Sequence, residues 1–306
     1  MNFTNNYGLP IPIAIWLSHN TYQQDEDENV ISATTLLKSV RQIVLGRRYK
    51  ESTKVVDVMD LAASKIGAAI HASVEAAMEP DTFIKLAQDN FGIKPKEFHS
   101  EIRTKKEING YVISGQFDIV YAGTVLDIKS TSTWKYILDS GDDYIKQMSI
   151  YKWLNPELIT NPNGYICYIF TDWSKAKARM DTKYPQQRIM WKEFVLDENI
   201  EEWIDRKTRA IKAAESLPDN DLPFCTSEER WEKPTVWKYY KGASRERATK
   251  VYDNEYEAYE RMKKDGGAVV EIKGESTGCM YCSYSNICNQ YKIIHGDIES
   301  IIENME

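Results

Sequence analysis

The stretch Val112–Thr131 constrains the fold most, because its pattern predicts a β-hairpin with carboxylates on both arms. Val, Ile, Phe and Tyr dominate both arms, and Ala122-Gly123 interrupts them, as expected of two strands joined by a turn. A two-residue turn places position 118 opposite 127 and position 116 opposite 129. Because side chains alternate between faces, we expect a core face with Phe117, Ile119, Tyr121, Leu126 and Ile128 and a polar face with Gln116, Asp118, Val120, Val125, Asp127 and Lys129.

The predicted polar face puts two carboxylates opposite each other, with an ammonium two residues further on. Like charges that face each other across a ladder are destabilising, so this hairpin is expected to hold a cation between Asp118 and Asp127. Hard divalent cations prefer such oxygen ligands, and Lys129 would hold a water or a phosphate oxygen beside the ion. The alternative is a solvated strand face with a salt bridge, the commoner meaning of Asp-x-Lys alone. A longer loop would also change the register, since Ala-Gly is a mediocre two-residue turn.

Four short motifs follow one another within 85 residues of the chain. They are Gly67-Ala-Ala-Ile-His71, Gly115-Gln-Phe-Asp118, Asp127-Ile-Lys129 and Gln147-Met-Ser-Ile-Tyr151. Each is weak alone, but the set and its order resemble the PD-(D/E)XK nuclease superfamily. The resemblance is closest to the branch with the RecB nuclease domain, Cas4 and related phage exonucleases.

This resemblance implies an α/β fold with a restriction-endonuclease-like core, a central mixed sheet flanked by helices, and a C-terminal cysteine-rich cap. It implies a metal-dependent DNA exonuclease, more so than an endonuclease, in phage-like recombination or DNA processing. Mg²⁺ or Mn²⁺ would be held by His71, Asp118, Asp127 and the main-chain carbonyl of Ile128. Lys129 would orient water, and Gln147 and Tyr151 would position the substrate. Glu75 and Glu101 are further candidate acids.

Composition limits the partners. The net charge of −7 does not favour nucleic acid, but phosphate binding needs only a local basic groove. Arg41, Arg47, Arg245 and Arg247 are the candidate DNA contacts. No apolar run is long enough to span a membrane, and no signal peptide is recognisable. Five cysteines without a secretion signal predict reduced thiols and a cytoplasmic protein, and the resemblance implies a bacterial or phage-infected cell.

The chain pattern predicts a loose leader over 1–30, a nuclease core over 31–217 and a cap with a hairpin insertion over 218–306. Helical spacing of apolar residues predicts one helix from Ser32 to Tyr49. Further helices are expected over 55–78, 142–154 and 198–217, and strands over 96–105, 164–171 and 190–196. In the cap, a hairpin through Gly242-Ala243 is followed by a helix capped by Asp253. Trp237 and Tyr239 in that hairpin are candidate base-stacking residues.

The tail contains Cys279, Cys282 and Cys288 with C-x2-C-x5-C spacing, and Cys225 lies upstream. Cas4-like and AddB-like nucleases, which this tail resembles, hold a [4Fe–4S] cluster with such a triplet and one distant cysteine. Here the distant cysteine near Lys38–Arg41 is missing, so Cys225 would have to substitute. Four thiolates also suit structural zinc. Cys167, in an apolar strand, is expected to be a core thiol.

Two other functions stay open at this stage. One is a catalytically silent protein that keeps the fold and binds DNA or assembles with a recombination or single-strand-binding partner. The other is a metal-thiolate structural or redox protein in which the acidic hairpin is incidental.

Overall fold

The computed structural model describes residues 3–19, 27, 29–49, 55–138, 140–242 and 246–296. The chain divides into two compact units, one formed by Met1–Lys38 and Lys54–Ala213, the other by Ser39–Thr53 and Ala214–Glu306. The second boundary lies close to the expected division at 217. Residues 39–53, in contrast, were expected in the core and belong instead to the C-terminal unit. No helix among the described residues is long and apolar enough to cross a bilayer.

The N-terminal segment is more ordered than the predicted leader. Strand β1 (Phe3–Thr4) pairs in parallel with β3 (Val56–Asp57). Helix α1 spans Ile11–Ser18, and its Ala14 and Leu17 form a small apolar cluster with Val58. These apolar contacts anchor residues that composition alone assigned to a leader; residues 1, 2, 20–26 and 28 lie outside the described part of the chain.

The predicted helix from Ser32 to Tyr49 is two helices. After β2 (Val30–Ser32), the Ser32 side chain caps α2 (Ala33–Leu36), which ends after one turn. Ser39 then caps α3 (Val40–Arg48), and its reciprocal hydrogen bonds with Gln42 form a capping box. A capping box satisfies the first amides of a new helix, so the chain can change direction between the two.

The Ala-rich segment forms α4 (Ala62–Ala77), preceded by a 3₁₀ turn over Val58–Leu61. Helix α5 follows over Pro80–Phe91. The motif glycine Gly67 brings α4 close to a strand, because a Cβ there would lie 2.8 Å from Ser130 Oγ. The prediction that small residues in this helix allow close approach to the sheet is confirmed.

Two sheets form the core of the first unit. The larger one contains β4 (Phe98–Ser100), β7 (Ile119–Tyr121), β8 (Thr124–Thr131), β9 (Asn163–Phe170) and β10 (Ile189–Val195), in the order β10-β9-β8-β7-β4. Only β8 and β9 pair in parallel, so the sheet is mixed. The smaller sheet has the order β2-β6-β5, with β5 at Arg103–Ile108 and β6 at Tyr111–Gln116.

The expected strands over 96–105 and 112–121 are each interrupted where they pass from one sheet to the other. Ser100 pairs with Ile119, and Arg103 pairs with Gln116, so the register continues across the interruption. Between these pairs Glu101 has a positive φ of 53°, and its amide donates to the carbonyl of Asp118 at 3.1 Å. Both acidic residues therefore lie at a break in regular pairing.

The register of the predicted hairpin is confirmed, but its faces are not. Ile119 pairs with Leu126 and Tyr121 with Thr124, and positive φ at both Ala122 (50°) and Gly123 (78°) is typical of a type I′ turn. The face expected to be polar is the more buried one: Val120, Val125 and Asp127 are each 1% exposed or less. Helices cover both faces, so alternation does not separate core from solvent here.

Helices α6 (Thr133–Leu138), α7 (Asp142–Leu154), α8 (Lys175–Met180) and α9 (Ile200–Glu215) complete this part of the chain. The bounds of α7 match the predicted helix. It packs closely on the sheet, since a Cβ on Gly164 would lie 2.9 Å from both Met148 and Val125 side chains. Val125 and Ser130 project from opposite faces of β8, so α7 and α4 flank this sheet on opposite sides.

The second unit has a three-stranded sheet of order β12-β11-β13, formed by Lys250–Tyr252, Val236–Tyr240 and Ala268–Ile272. Helix α10 spans Glu255–Asp265 and is capped by Asn254, not Asp253. The expected hairpin of β11 and β12 is present and gains a third strand. Tyr239 is buried with Tyr252 and Ala258, and Trp237 packs against them, so these aromatic rings build a core and are not presented for stacking on bases. Short helices α11 (Thr277–Tyr281) and α12 (Asn289–His295) follow.

Candidate active site

Asp127 lies in the middle of β8 and is buried, with 1% of its surface exposed. Burial, opposed by the charge of Lys129 and reinforced by that of Asp118, raises the pKa of this carboxyl to about 6. The Lys129 ammonium lies 2.6 Å from Oδ2 as an ion pair. Beyond that contact, this buried oxygen accepts no hydrogen bond from a described residue. Oδ2 of Asp127 therefore has unused acceptor capacity, which suits the binding of a cation.

Asp118 lies in the break between β6 and β7, beside Asp127. Its Oδ2 accepts a hydrogen bond from the Ile128 amide at 2.7 Å, which fixes the carboxylate across the strand. Burial raises its pKa, although the Ile128 hydrogen bond and Lys129 act in the opposite direction. The expected proximity of Asp118, Asp127 and Lys129 is present in the structure. Gln116, expected opposite Lys129, belongs to the other sheet instead.

Three further predicted residues surround the outer side of Asp118. His71 Nδ1, from α4, lies 3.9 Å from Asp118 Oδ2. Glu75, one turn along α4, and Glu101, at the kink, line a small cavity with His71, Asp118 and Ile128. Burial raises the pKa of Glu101, and the nearby Glu75 charge raises it further. The structure thus gathers acids from one helix and from the breaks between two pairs of strands around one point.

Gln147 and Tyr151 reach the same centre from α7. Both are buried, and Gln147 Nε2 donates to the Tyr151 hydroxyl oxygen at 2.7 Å. Burial, together with the charges of Asp127 and Asp118, raises the pKa of Tyr151 well above its usual range. The tyrosine is therefore protonated at neutral pH. Because its oxygen accepts from Gln147, its own proton is available to a ligand.

The donor set fits a hard divalent cation. Mg²⁺ keeps several waters and takes one or two carboxylates together with substrate phosphates, and Asp118 with Asp127 supplies that number. Two repelling carboxylates with raised pKa values gain from a bound cation. No three His, Cys, Asp or Glu side chains of the described residues lie close enough to enclose an ion on their own. The site therefore needs water, the Ile128 carbonyl or a ligand to complete a coordination sphere.

A groove of about 830 Å³ in the same unit leads to these residues. The sequence did not predict it. It is lined by the acids Glu75 and Glu101, by Tyr151, and by polar or basic side chains that include Ser32, Thr34, Ser64, Lys65 and Arg103. Lys65, Ala68 and Glu75 lie on one face of α4. This spacing is the sequence pattern that could have indicated the groove.

Among the four arginines that were predicted to contact DNA, Arg41 and Arg47 have partners within the protein. Arg41 is buried, with 2% exposure, and it binds carbonyl, amide and sulfur atoms of its own unit. Arg47 forms an ion pair with Glu215. Burial of Arg41 keeps it from a phosphate, which corrects the expectation for that residue; Arg47 is partly exposed and its DNA contact stays a prediction. Arg247 is exposed and stays a candidate, while Arg245 lies outside the described residues.

The four predicted cysteines line one cavity of the second unit. Cys225, Cys279, Cys282 and Cys288 surround it together with Arg41 and Gln42. All four are free thiols. Burial and the three neighbouring thiols raise the pKa of Cys279 to about 11. Cys225 is held by Gln290, whose side chain bonds both its amide and its carbonyl, at 2.8 and 2.9 Å.

No protein-family model matches the chain, and no curated protein matches it. Among solved structures, it is similar to a phage related exonuclease from Haemophilus somnus 129PT, at 15% identity over 66% of this chain and 91% of that one, with a TM-score of 0.32. It is similar to the alkaline exonuclease LHK-Exo from Laribacter hongkongensis, at 13% identity over 60% and 87%, with a TM-score of 0.37. A third is SSO0001, at 23% identity over 69% and 89%, with a TM-score of 0.42.

Each TM-score lies below 0.5, so the roles of individual residues rest on the geometry of this chain alone.

Proposed function

We propose that this chain is a metal-dependent deoxyribonuclease of the PD-(D/E)XK superfamily, acting on DNA as an exonuclease in phage-like recombination or processing. The observation that carries the proposal is the convergence of Asp118, Asp127 and Lys129 from one hairpin with Tyr151 from α7. Four short motifs that are separate in sequence meet at one buried acidic centre beside a groove. That centre matches the needs of phosphodiester hydrolysis better than those of a passive binding surface.

In this proposal Asp118 and Asp127 bind Mg²⁺ or Mn²⁺, with the Ile128 carbonyl and His71 as further ligands. A cation bound there supplies the Lewis-acid chemistry that hydrolysis of a phosphodiester requires. Lys129 orients the attacking water and stabilises negative charge on the phosphate in the transition state. Tyr151, protonated and oriented by Gln147, would donate a hydrogen bond to a phosphate oxygen. Glu75 and Glu101, which line the same cavity as Asp118, would be further acids close to the cation.

The test is cleavage of end-labelled linear DNA by the purified protein with Mg²⁺ or Mn²⁺. Asp127→Asn and Lys129→Ala are expected to abolish cleavage and to keep the circular dichroism spectrum of the folded protein. Asp89→Asn, an exposed position on α5, is the matched control and is expected to cleave at the wild-type rate. Cleavage that survives both active-site substitutions, or that persists in excess EDTA, would overturn the assignment.

A catalytically silent DNA-binding protein is the other outcome of that assay. It would bind the same DNA and cleave none of it under any metal condition. The ion pair between Lys129 and Asp127 at 2.6 Å favours the enzyme, because binding alone does not require a buried charged pair next to a second carboxylate.

For the second unit we propose that Cys225, Cys279, Cys282 and Cys288 bind one metal centre, a [4Fe–4S] cluster in preference to zinc. All four line one cavity. The preference for a cluster rests on the resemblance of the C-x2-C-x5-C tail with one distant cysteine to the tails of Cas4-like nucleases, and four thiolates also suit zinc. Brown protein with about four irons per chain supports the cluster; colourless protein with one zinc per chain contradicts it and keeps the four-thiolate site.

A further inference from the structure

The first turn of α3 contacts three different cysteines with three different side chains. The Cys225 thiol donates to Ser39 Oγ at 3.1 Å. Arg41 Nη1 donates to Cys288 Sγ at 3.7 Å, and Gln42 Nε2 donates to Cys282 Sγ at 3.7 Å. These three contacts bridge long stretches of sequence and lie within one compact unit. One helical turn therefore approaches three of the four sulfurs at once.

Arg41 is a buried cation whose partners are all neutral. Its guanidinium binds the carbonyls of Pro223 and Leu222 and the Asn289 side chain. The Phe224 ring stacks at 5.1 Å from it. In the described part of the chain no carboxylate forms an ion pair with it. Against the effect of burial, the pKa of Asp219 is lowered by hydrogen bonds from Tyr49 and Arg48, which hold that carboxylate, and the charge of Arg41 contributes to this shift.

Other arginines of the same unit differ in this respect. Arg47 is paired with Glu215, Arg48 with Asp219 and Arg230 with Glu232. A buried charge without a carboxylate in direct contact is costly, so an anion closer to the guanidinium than Asp219 would stabilise Arg41. Cys288 lies within hydrogen-bond distance of the guanidinium, and a deprotonated sulfur there would be that anion.

We propose that Arg41 is the counter-charge of an anionic four-thiolate metal centre, and that Ser39 and Gln42 orient two of its sulfurs. This inference rests on the metal centre proposed above and concerns what holds it. Four thiolates around Zn²⁺ or around a [4Fe–4S]²⁺ core leave a net charge of about −2. Groups that bond to ligand atoms without touching the metal position those ligands and tune the centre. Arg41 is a positioning residue in this sense.

The local structure of α3 makes this arrangement rigid. Ser39 and Gln42 cap each other through hydrogen bonds of 3.2 and 3.1 Å, so both side chains are fixed before they meet a sulfur. Gly46 lets the helix approach the cysteine segment closely, because a Cβ there would lie 2.8 Å from the Tyr284 hydroxyl. When Cys225 is deprotonated, the Ser39 hydroxyl can turn and donate to its sulfur.

The experiment uses the full chain, purified without oxygen, with Arg41→Gln and Gln42→Glu as test variants. A Glu at position 42 keeps the oxygen that accepts from the Ser39 amide, so the helix cap survives while the donor to Cys282 is lost. Arg48→Gln on the same helix is the matched control, since it removes a charge that contacts no cysteine. Metal per chain, visible absorbance and the rate of metal loss to a chelator are measured for each protein.

Both test variants are expected to lose metal on the order of 10- to 100-fold faster than wild type. If the metal is iron, their reduction potential is expected to fall, because removing positive charge and hydrogen bonds near a cluster disfavours its reduced form. Arg48→Gln should behave as wild type. If Arg41→Gln fails to fold by circular dichroism, Gln42→Glu decides the question.

The two proposals fail in distinguishable ways. Metal-free wild-type protein overturns the metal centre and this inference with it. Wild-type protein that holds metal, with variants that release it at the rate of Arg48→Gln, overturns the role of α3 alone. DNA cleavage is measured in parallel on Asp127→Asn, which should keep its metal at the cysteines, so the nuclease assignment is tested separately.

Discussion

The ionised carboxylate of Asp127, which the proposed activity needs, lowers the stability of the folded protein. Its carboxyl is buried beside a second carboxylate, and its pKa rises to about 6. In the unfolded chain the same group has an ordinary value near 3.8. The folded state therefore binds this proton more tightly than the unfolded state does, and ionisation of Asp127 opposes folding when no cation is bound.

The stability of metal-free protein should depend on pH through Asp127. A group with a raised folded pKa contributes its full stability below the unfolded pKa and loses it as the pH rises through the folded pKa. Relative to Asp127→Asn, the wild type should therefore lose about 2 kcal/mol of unfolding free energy between pH 4 and pH 7. Urea denaturation of both proteins in EDTA measures this difference; a difference that does not change with pH would contradict the burial of the charged carboxyl.

Among the contacts between secondary-structure elements, the close approach of β6 to α7 depends on Gly115. A Cβ on this residue of β6 would lie 2.6 Å from Leu154 Cδ1 and 3.0 Å from Tyr151 Cδ1. Gly115→Ala should push α7 outward, destabilise the fold by about 1–3 kcal/mol and reduce cleavage, because Tyr151 moves with the helix.

The matched control is Gly242→Ala, where a Cβ meets nothing within 4 Å. Chemical denaturation and the cleavage rate are measured for both variants. Equal behaviour of the two would show that the fit between β6 and α7 does not position Tyr151.

In the turn between β7 and β8, in contrast to Gly115, a substitution is expected to stabilise the protein. Ala122 is exposed and has a φ of 50°, a conformation that Asn and Gly adopt more readily. The turn at Asn109-Gly110 has φ values of 52° and 84° and already carries the favoured pair. Ala122→Asn should stabilise the protein by about 0.5–1 kcal/mol with cleavage unchanged. A loss of stability in urea would indicate that the type I′ geometry at this turn is wrong.

The secondary-structure elements near the site were predictable because the sequence patterns that specify them lie within a few neighbouring residues. The hairpin register follows from a two-residue turn, and α7 follows from a continuous helical pattern with the same bounds. The buried face of the hairpin was not predictable, since Val120 and Val125 alternate with equally apolar neighbours and helices cover both sides. The division of α2 from α3 depends on Ser39 and on contacts of Arg41 that lie 181 to 248 residues away in sequence, which no local pattern contains.

At the scale of the whole molecule, the charge of −7 makes DNA binding depend on local groups. We expect the proposed activity to require a free DNA end, because the four motifs resemble those of phage exonucleases and the sequence has no evident base-reading element. Linear duplex should be degraded in the presence of Mg²⁺ or Mn²⁺, and covalently closed circles of the same sequence should stay intact. Gel analysis of both substrates in one reaction measures this; equal cutting of circles would show an endonuclease.

The discontinuous second unit has a consequence for the newly made chain. Helix α3 is synthesised before its bonding partners, which lie between Leu222 and Asn289 and leave the ribosome roughly 180 to 250 residues later. At typical elongation rates this delay is on the order of tens of seconds. Arg41 and Gln42 have to wait for those partners, and Leu45, which lines the cysteine cavity and is buried in the finished protein, has to wait for the cysteines.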